Sequence, residues 1–363
     1  MRTGNPYFSS STKFLSAGVL FILLGLLLAG CGNVANATST LSGSGSSFAA
    51  PAFDTWRLQF SHNFPESTVT YQSLGSGQGR SDFLAGKTDF GASDVQITAQ
   101  EAQASSKNFN NIVQIPVVLG SIVLAFNLPG ITGLNMSQET VCGIYTGKIT
   151  RWNDPKVQAD NPNTALPDKA IQQMVRSDSS GTTQVFTQYL SAICPDFKNS
   201  VGVSGLPDWK KAGLEVLAAG QNDGVAHNIS LAIGGFGYIE QDYAVQYSLP
   251  TVSLKNGAGK FVKATKESIV SAVSSNTTEL NLSLLNQGGD NTYPIVTTSY
   301  LLLNRTYADR AKGQAVVKFA QYILQDGQQD IRTYTYIPLP PQILNLAQAK
   351  LKQVVAGGEA VLN

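Results

Sequence analysis

The chain has few residues of the kinds that build metal centres, and it has no excess of charge of either sign. Its 363 residues include two histidines, His62 and His227, and three cysteines, and neither histidine has a cysteine close to it in the sequence. A structural or catalytic zinc site, which needs clustered Cys and His ligands, is therefore not expected. The 25 lysines and arginines balance 24 aspartates and glutamates. Nothing in the net charge indicates a nucleic acid as partner, and any anion site must be local.

The N-terminal segment has the pattern of an export signal. Residues 1–30 contain Arg2 and Lys13 but no acidic residue, and their apolar run ends in Leu-Ala-Gly just before Cys31. This pattern is typical of a lipoprotein signal, cleaved before a cysteine that then carries lipid. A membrane-spanning anchor is the alternative, but the run is shorter than the roughly 20 residues that a span needs. We expect a protein exported from the cytoplasm and anchored by lipidated Cys31, with residues 31–42 as a flexible tether.

The other two cysteines, Cys142 and Cys194, would meet oxidising conditions after export. Leftover thiols tend to pair in such a compartment, so a disulfide between them is expected. Two buried free cysteines are the alternative, because the sequence does not give the distance between the Cα atoms.

Segments typical of strands alternate with helical ones, which predicts an α/β protein with parallel strands. The first predicted strands are 68–71, 89–92 and 112–118. Two strongly apolar segments, 122–127 and 293–303, predict crossings between two lobes. On this division lobe 1 contains residues 43–121 and 298–363, and lobe 2 contains residues 122–297.

One polar segment predicts an oxyanion site. The run Arg-Ser-Asp-Ser-Ser-Gly-Thr-Thr at 176–183 lies between a predicted strand and an amphipathic helix. A helix N-terminus presents unpaired N–H groups and the positive end of a dipole, and here hydroxyls and a guanidinium are close by. An ordinary Ser/Thr N-cap is the alternative.

Two glycine-rich segments precede other predicted helices. Gly-Ser-Gly-Ser-Ser at 43–47 is followed by an apolar stripe at helical spacing, Phe53, Trp56, Phe60 and Phe64, and Gly-Ser-Gly-Gln-Gly at 75–79 follows a predicted strand. Glycines let the backbone approach a ligand closely, and Ser47 and Ser76 add hydroxyls. A flexible linker is the alternative for the first segment, and a plain turn for the second.

Asp94 follows the predicted strand 89–92, at the sheet edge where α/β proteins bind ligands. A carboxylate can accept a hydrogen bond from protonated phosphate, whereas sulfate at neutral pH has no proton to donate. One aspartate could therefore accept phosphate and reject sulfate. An aspartate that caps the following turn is the alternative.

Five motifs in this order resemble the phosphate-binding protein of the bacterial high-affinity phosphate ABC importer, the PstS family. They are Gly-Ser-Gly-Ser-Ser-Phe (43–48), Tyr-Gln-Ser-Leu-Gly-Ser-Gly (71–77), Asp-Phe-Gly-Ala-Ser-Asp (89–94), Ile-Tyr-Thr-Gly-Lys-Ile-Thr-Arg-Trp-Asn-Asp (144–154) and Arg-Ser-Asp-Ser-Ser-Gly-Thr (176–182). The resemblance implies a two-lobed periplasmic-binding-protein fold of type II, which closes on one dehydrated phosphate without metal or cofactor. It also implies delivery of phosphate to the membrane permease of an ABC transporter.

The same resemblance implies a role for each motif residue. Asp94 would accept the phosphate proton, Arg176 would be the charged partner, and Asp178 would hold Arg176 in place. The implied phosphate ligands are Ser47, Phe48, Ser76, Asp94, Arg176, Ser180, Gly181 and Thr182. It says nothing about the pairing of Cys142 and Cys194.

Three other functions are weighed against phosphate transport. A binding protein for sulfate or molybdate fits the helix starts, but Asp94 argues against it. A surface sensor could retain the phosphate site without serving transport. A phosphatase or serine hydrolase is not favoured, because the serines of these motifs lie in no Gly-x-Ser-x-Gly elbow and the histidines lie in unremarkable contexts.

Overall fold

The computed structural model describes residues 39–273, 279–282 and 284–362. The predicted signal segment 1–30, the predicted lipidation site Cys31 and residues 32–38 of the predicted tether lie outside this part of the chain. Among the described residues, none of the helices is both long and apolar enough to cross a bilayer.

The strands and helices alternate along most of the chain. The strands are β1 (Ser39–Gly45), β2 (Ser67–Ser73), β3 (Phe90–Ser93), β4 (Ile112–Phe126), β5 (Leu134–Met136), β6 (Gln172–Arg176), β7 (Val216–Ala219), β8 (Gly235–Glu240), β9 (Val252–Lys255), β10 (Phe261–Val262), β11 (Val296–Asn304), β12 (Thr306–Tyr307), β13 (Val355–Ala356) and β14 (Glu359–Ala360). The α-helices are α1 (Ala50–Asn63), α2 (Ser76–Leu84), α3 (Ala99–Ala104), α4 (Gln138–Tyr145), α5 (Pro155–Asp160), α6 (Gly181–Ile193), α7 (Pro195–Ser200), α8 (Gln221–Leu231), α9 (Gln241–Gln246), α10 (Lys266–Val270), α11 (Arg310–Ile323), α12 (Gly327–Asp330) and α13 (Pro341–Leu351). Short 3₁₀ turns lie at Phe109–Asn111, Trp209–Ala212 and Ile331–Thr333.

Eight of these strands form one sheet in the order β2-β1-β3-β11-β4-β8-β6-β7. Strand β1 is parallel to β2 and β3, and β6 is parallel to β7 and β8. The predicted α/β architecture with parallel strands is therefore confirmed. Strands β4 and β11 run antiparallel to their neighbours and join the two parallel groups. Two smaller three-stranded sheets have the orders β10-β9-β5 and β12-β13-β14.

Strand β4 runs through the middle of the large sheet and changes its partner on the way. Its first part, as far as Ser121, pairs with β11, and its last part, from Ile122, pairs with β8. The sequence predicted separate segments at 112–118 and 122–127, but they form one fully buried strand. Gly120 does not interrupt strand β4. Its missing side chain leaves room for Phe48, since a Cβ at this position would lie 2.7 Å from the Phe48 ring. The lobe boundaries stay a prediction, and we keep the predicted lobes as names.

The structure corrects the predicted tether at its C-terminal end. Ser39–Ser42 belong to β1 and are not a free linker, because they pair in register with β2 and Leu41 is fully buried. Strand β1 continues through Gly45, so the glycine-rich segment is the end of a strand and helix α1 begins later, at Ala50.

Aromatic side chains fill the core in both predicted lobes. The predicted helical stripe is confirmed for Phe53, Trp56 and Phe60, which are fully buried on α1, whereas Phe64 follows the end of the helix and is partly buried. Lobe 2 has its own buried aromatic cluster, which contains Tyr145, Trp152, Phe186, Trp209, Phe236 and Tyr238. Together the described residues from Ser39 onward pack as one unit.

A disulfide joins Cys142 on α4 to Cys194, the residue directly after α6. The two Cα atoms are 5.5 Å apart, and the bond closes a loop across 52 positions of the sequence. The expected pairing is confirmed, and it ties two helices of lobe 2 together.

Removing this disulfide should destabilise the protein without touching the cleft. Closing a loop of this length stabilises the folded state by about 2–4 kcal/mol, mainly by restricting the unfolded chain. We expect the double variant Cys142→Ser/Cys194→Ser to lose a free energy of unfolding of about that size in denaturant titrations. Reductant should lower the stability of the wild type and leave the variant unchanged; equal stability of both proteins without reductant would contradict the prediction.

Candidate functional site

Asp94 lies directly after β3 and is almost completely buried, with 3% of its surface exposed. Three serine hydroxyls donate to its carboxylate: Ser46 and Ser299 to Oδ1, and Ser76 to Oδ2 at 3.1 Å. The hydroxyl of Ser76 in turn accepts a hydrogen bond from the Asp94 amide. Asp94 does not cap the following turn, because no backbone amide of the described residues donates to its carboxylate.

The hydrogen bonds leave Asp94 one acceptor position. A carboxylate has about four lone-pair sites, two on each oxygen. The hydroxyls of Ser46 and Ser299 occupy both sites on Oδ1, whereas Ser76 occupies one site on Oδ2. Oδ2 can therefore accept one more hydrogen bond.

Burial raises the pKa of Asp94 above its ordinary value. The hydrogen bonds from Ser299, Ser46 and Ser76 and the positive charge of Arg176 oppose this effect. The carboxylate is thus stabilised by donors from its own lobe and by a cation from the other lobe.

Helix α6 begins on the other side of the cleft, next to Asp94. Ser180 caps it by accepting a hydrogen bond from the Thr183 amide, so the N-cap alternative is correct for this hydroxyl. Gly181 lies against lobe 1: a Cβ at this position would be 2.3 Å from Ser76 Oγ and 2.7 Å from Asp94 Oδ2. The start of α6 and the free acceptor position of Asp94 Oδ2 are therefore close neighbours.

At the starts of α1 and α6, four buried amides have no acceptor among the described residues. They belong to Ser47 and Phe48, which precede α1, and to Gly181 and Thr182, in the first turn of α6. Buried amides are normally paired, and two helix starts with unpaired N–H groups make a binding position for negative charge.

Arg176 ends β6, with only 1% of its side chain exposed. Its guanidinium binds Asp178 with two hydrogen bonds, from Nε to Oδ1 at 2.8 Å and from Nη2 to Oδ2. Its Nη1 lies 3.5 Å from Thr182 Oγ1. Asp178 Oδ1 also accepts a hydrogen bond from the Gln221 amide, so one carboxylate fixes Arg176 and the start of α8 together.

Several hydrogen bonds hold the two lobes against each other at this point. The Gly77 amide donates to the carbonyl of Ser179 at 2.9 Å, and the hydroxyl of Tyr243 donates to the carbonyl of Ser47 at 2.8 Å. These bonds connect both glycine-rich segments of lobe 1 to lobe 2, so the cleft is closed in this structure.

The structure brings all eight predicted ligand residues to this cleft, and Asp178 lies where it can hold Arg176. The neighbouring Ser46 was given no role by the sequence. It binds Asp94, while Ser47 Oγ accepts hydrogen bonds from the Asn222 amide at 3.2 Å and from Asn222 Nδ2 at 3.1 Å. Strand geometry explains the difference, because Ser46 and Ser47 follow β1 and neighbouring side chains point in different directions.

Besides Ser46, sequence reasoning missed three polar residues of the cleft. Ser299 lies within buried strand β11, and Tyr238 lies within β8, where its hydroxyl pairs with Thr183 Oγ1 at 2.7 Å. Asn222 is fully buried at the start of α8. No local pattern marks the first two, and a signal for Asn222 is the Gly-Gln-Asn-Asp-Gly run at 220–224.

Comparison with known proteins agrees with this architecture. Residues 33–326 match the family model of the PBP superfamily domain. The chain is 34% identical over 320 residues to the phosphate-binding protein PstS of Haemophilus influenzae, covering 86% of this chain and 93% of that protein. It is 30% identical over 364 residues to PstS of Methanocaldococcus jannaschii, covering 90% and 94%.

Solved structures show the same fold at lower sequence identity. A phosphate-binding protein from Stenotrophomonas maltophilia aligns with a TM-score of 0.66 and 20% identity, over 86% of this chain and 93% of that chain. A putative phosphate ABC transporter substrate-binding protein from Clostridium perfringens, solved with bound phosphate, aligns with a TM-score of 0.59 and 18% identity, over 83% and 100%. The predicted two-lobed periplasmic-binding-protein fold is confirmed. The chain belongs to the PBP superfamily and, within it, to the PstS family of phosphate-binding proteins.

A second buried carboxyl group, Glu240, lies at the end of β8 near the base of the cleft. It is fully buried, and its Oε2 accepts a hydrogen bond from the Asp242 amide at 2.9 Å. Its Oε1 has no partner among the described residues. Burial, with the negative charge of Asp242 added to it, raises the pKa of Glu240 well above its ordinary value.

This pKa shift predicts a pH dependence of stability. The folded state holds the proton of Glu240 to a higher pH than the unfolded chain does. The contribution of Glu240 to the free energy of unfolding should therefore be largest below its ordinary pKa of 4.5 and fall as the pH rises towards the folded pKa. Glu240→Gln should flatten this decline in denaturant titrations between pH 5 and 8, with Asp242 contributing equally to both proteins. Parallel pH profiles of variant and wild type would contradict the assignment.

Proposed function

We propose that this protein captures inorganic phosphate in its closed cleft and delivers it to the permease of an ABC transporter. The observation that carries the proposal is the pairing of four buried, unpaired amides with one carboxylate oxygen that can still accept a hydrogen bond. Hydrogen phosphate has the matching set of groups, since its oxygens accept hydrogen bonds and its one hydroxyl donates.

Each lobe contributes part of the phosphate shell. From lobe 1 come the amides of Ser47 and Phe48, the hydroxyl of Ser47, and the acceptor Asp94. Ser76 lies beside them and donates its hydroxyl proton to Asp94 Oδ2. From lobe 2 come the guanidinium of Arg176, the hydroxyls of Ser180 and Thr182, and the amides of Gly181 and Thr182. Phosphate then stabilises the closed form, because only this form supplies both sets of partners.

Asp94 gives the site its selectivity for phosphate over sulfate. A sulfate ion would place an unprotonated oxygen against Oδ2, so that two acceptors would meet with no hydrogen between them. In a dry cleft such a mismatch costs about 3 kcal/mol or more, which corresponds to a hundredfold or greater loss of affinity. Molybdate would meet the same repulsion.

The relatives support transport as the role of this site. Those compared with the chain are named phosphate-binding proteins, and one solved neighbour is described as a substrate-binding protein of a phosphate ABC transporter. Together with the export pattern of residues 1–30, this supports a position outside the cytoplasm, with lipidated Cys31 as the membrane anchor. The hydroxyls of the cleft serines are engaged by Asp94, Asn222 and a backbone amide, and neither histidine joins them, so the arrangement does not favour a hydrolase.

Replacing the acceptor should remove the selectivity. Asp94→Asn keeps the shape of the side chain but presents either a neutral carbonyl oxygen or an amide donor to the ligand. We expect the ratio of phosphate to sulfate affinity, measured by calorimetric titration of ligand-free protein, to fall by about a hundredfold or more. Glu240→Gln, which changes a buried carboxyl group outside the phosphate shell, should leave the ratio unchanged. An unaltered ratio in Asp94→Asn would refute the assigned role of Asp94.

Adding one methyl group to the start of α6 should oppose closure. The Cβ of Gly181→Ala would lie 2.3 Å from Ser76 Oγ and 2.7 Å from Asp94 Oδ2, and such overpacking costs about 1–3 kcal/mol. We expect a loss of phosphate affinity of about tenfold to a hundredfold in titration calorimetry. Gly133→Ala, where nothing lies within 4 Å of the added Cβ, is the matched control. Equal affinities of the two variants would show that the cleft does not close as described.

A further inference from the structure

Asn222 is fully buried between the two lobes and is not one of the predicted phosphate ligands. Its Oδ1 accepts a hydrogen bond from the Glu240 amide at 3.0 Å. This bond fixes the orientation of the side-chain amide, because the oxygen must face the Glu240 donor and Nδ2 must then face the other way. Nδ2 donates to Ser47 Oγ and to Thr182 Oγ1, both at 3.1 Å.

These contacts decide what the two hydroxyls can do. A hydroxyl group can donate one hydrogen bond and accept two. Ser47 Oγ accepts from the backbone amide and from Nδ2 of Asn222, so both of its lone pairs are occupied. Thr182 Oγ1 accepts from Asn222 Nδ2 and lies 3.5 Å from Arg176 Nη1. Each hydroxyl is left with its proton, and neither proton has an acceptor among the described residues.

The backbone before Asn222 is held in an unusual conformation. Gln221 has a φ of 63°, in the left-handed region that residues other than glycine seldom adopt. Its amide is bound by Asp178, the same carboxylate that holds Arg176. Strain of this kind persists only where surrounding contacts impose it, and here it puts Asn222 at the point where the lobes meet.

We propose that Asn222 is a positioning residue that turns the hydroxyls of Ser47 and Thr182 into obligatory hydrogen-bond donors when the cleft closes. The inference rests on the proposed function and deepens it. With Asn222 in place, one side of the cleft offers only donors, and the proton of the ligand must go to Asp94. Since Ser47 lies in lobe 1 and Asn222 in lobe 2, the hydroxyl of Ser47 is oriented in this way only in the closed form.

A double-mutant cycle tests this role. In the otherwise wild-type protein, Asn222→Ala should weaken phosphate binding by about tenfold to a hundredfold, because two hydroxyls lose their fixed orientation. In a Ser47→Ala/Thr182→Val background the same change should weaken binding by no more than about threefold, since no hydroxyls are left to orient. Asn228→Ala is the matched control on α8, because its side chain makes no hydrogen bond with the residues that the structure describes.

The outcomes separate the two proposals. Equal losses from Asn222→Ala in both backgrounds would overturn the positioning role and leave the phosphate function standing. Absence of phosphate binding by the wild type would overturn the function itself, and the inference with it. Thermal unfolding of each variant checks its folding, and if Asn222→Ala unfolds, Asn222→Ser carries the same cycle with a shorter donor.

Discussion

Burying an oxyanion requires a hydrogen-bond donor for nearly every lone pair that leaves water, because each unmet polar group costs several kcal/mol. The two lobes share this task. In lobe 1, the unpaired amides belong to Ser47 and Phe48, which lie between β1 and α1. In lobe 2, they belong to Gly181 and Thr182, in the first turn of α6. These dipoles matter because the ionised side chains add little net charge: the positive Arg176 is already matched by Asp178, and Asp94 is negative. Oriented neutral donors, more than an excess of cations, make the cleft suitable for an anion.

The same requirement explains the supporting contacts. Asp178 binds the Arg176 guanidinium in a two-point geometry and also holds the Gln221 amide, so β6 and α8 are fixed by one carboxylate. Asn222 follows directly and reaches across to Ser47 in the other lobe. Closure thus does more than bring two surfaces together, because it also orients the hydroxyls of Ser47 and Thr182 as hydrogen-bond donors. A ligand that binds only this arrangement shifts the population of the protein towards it.

Much of the site could be predicted from the sequence because it is built from loops that follow parallel strands. Asp94, Ser76 and Arg176 each lie at or just beyond the carboxyl end of a strand, where α/β proteins bind ligands. Strand β6 runs opposite to β3 in the sheet, so the carboxyl ends of these strands face each other at the cleft. The distinction between Ser46 and Ser47 could not be predicted, since it depends on the direction that each side chain takes after β1. The contact between Asn222 and Ser47 could not be predicted for another reason: the two residues are 175 positions apart, and nothing local in either segment specifies the contact.

The strand boundaries also depend on tertiary contacts that the local sequence does not specify. Periodicity predicted apolar segments on either side of residue 120, but it did not predict that they form one continuous strand, because the packing of Gly120 against Phe48 is a tertiary contact. The tether was predicted four residues too long, since Ser39–Ser42 look polar and small and are ordered only by their pairing with β2.

The most direct test of the central claim is a calorimetric titration of phosphate into protein stripped of bound ligand, with sulfate in large excess throughout. A cleft that combines unpaired amides with the acceptor Asp94 should bind one phosphate per chain with an affinity that sulfate does not alter. Absence of binding, or competition by sulfate, would show that the donors and the carboxylate do not act together as described.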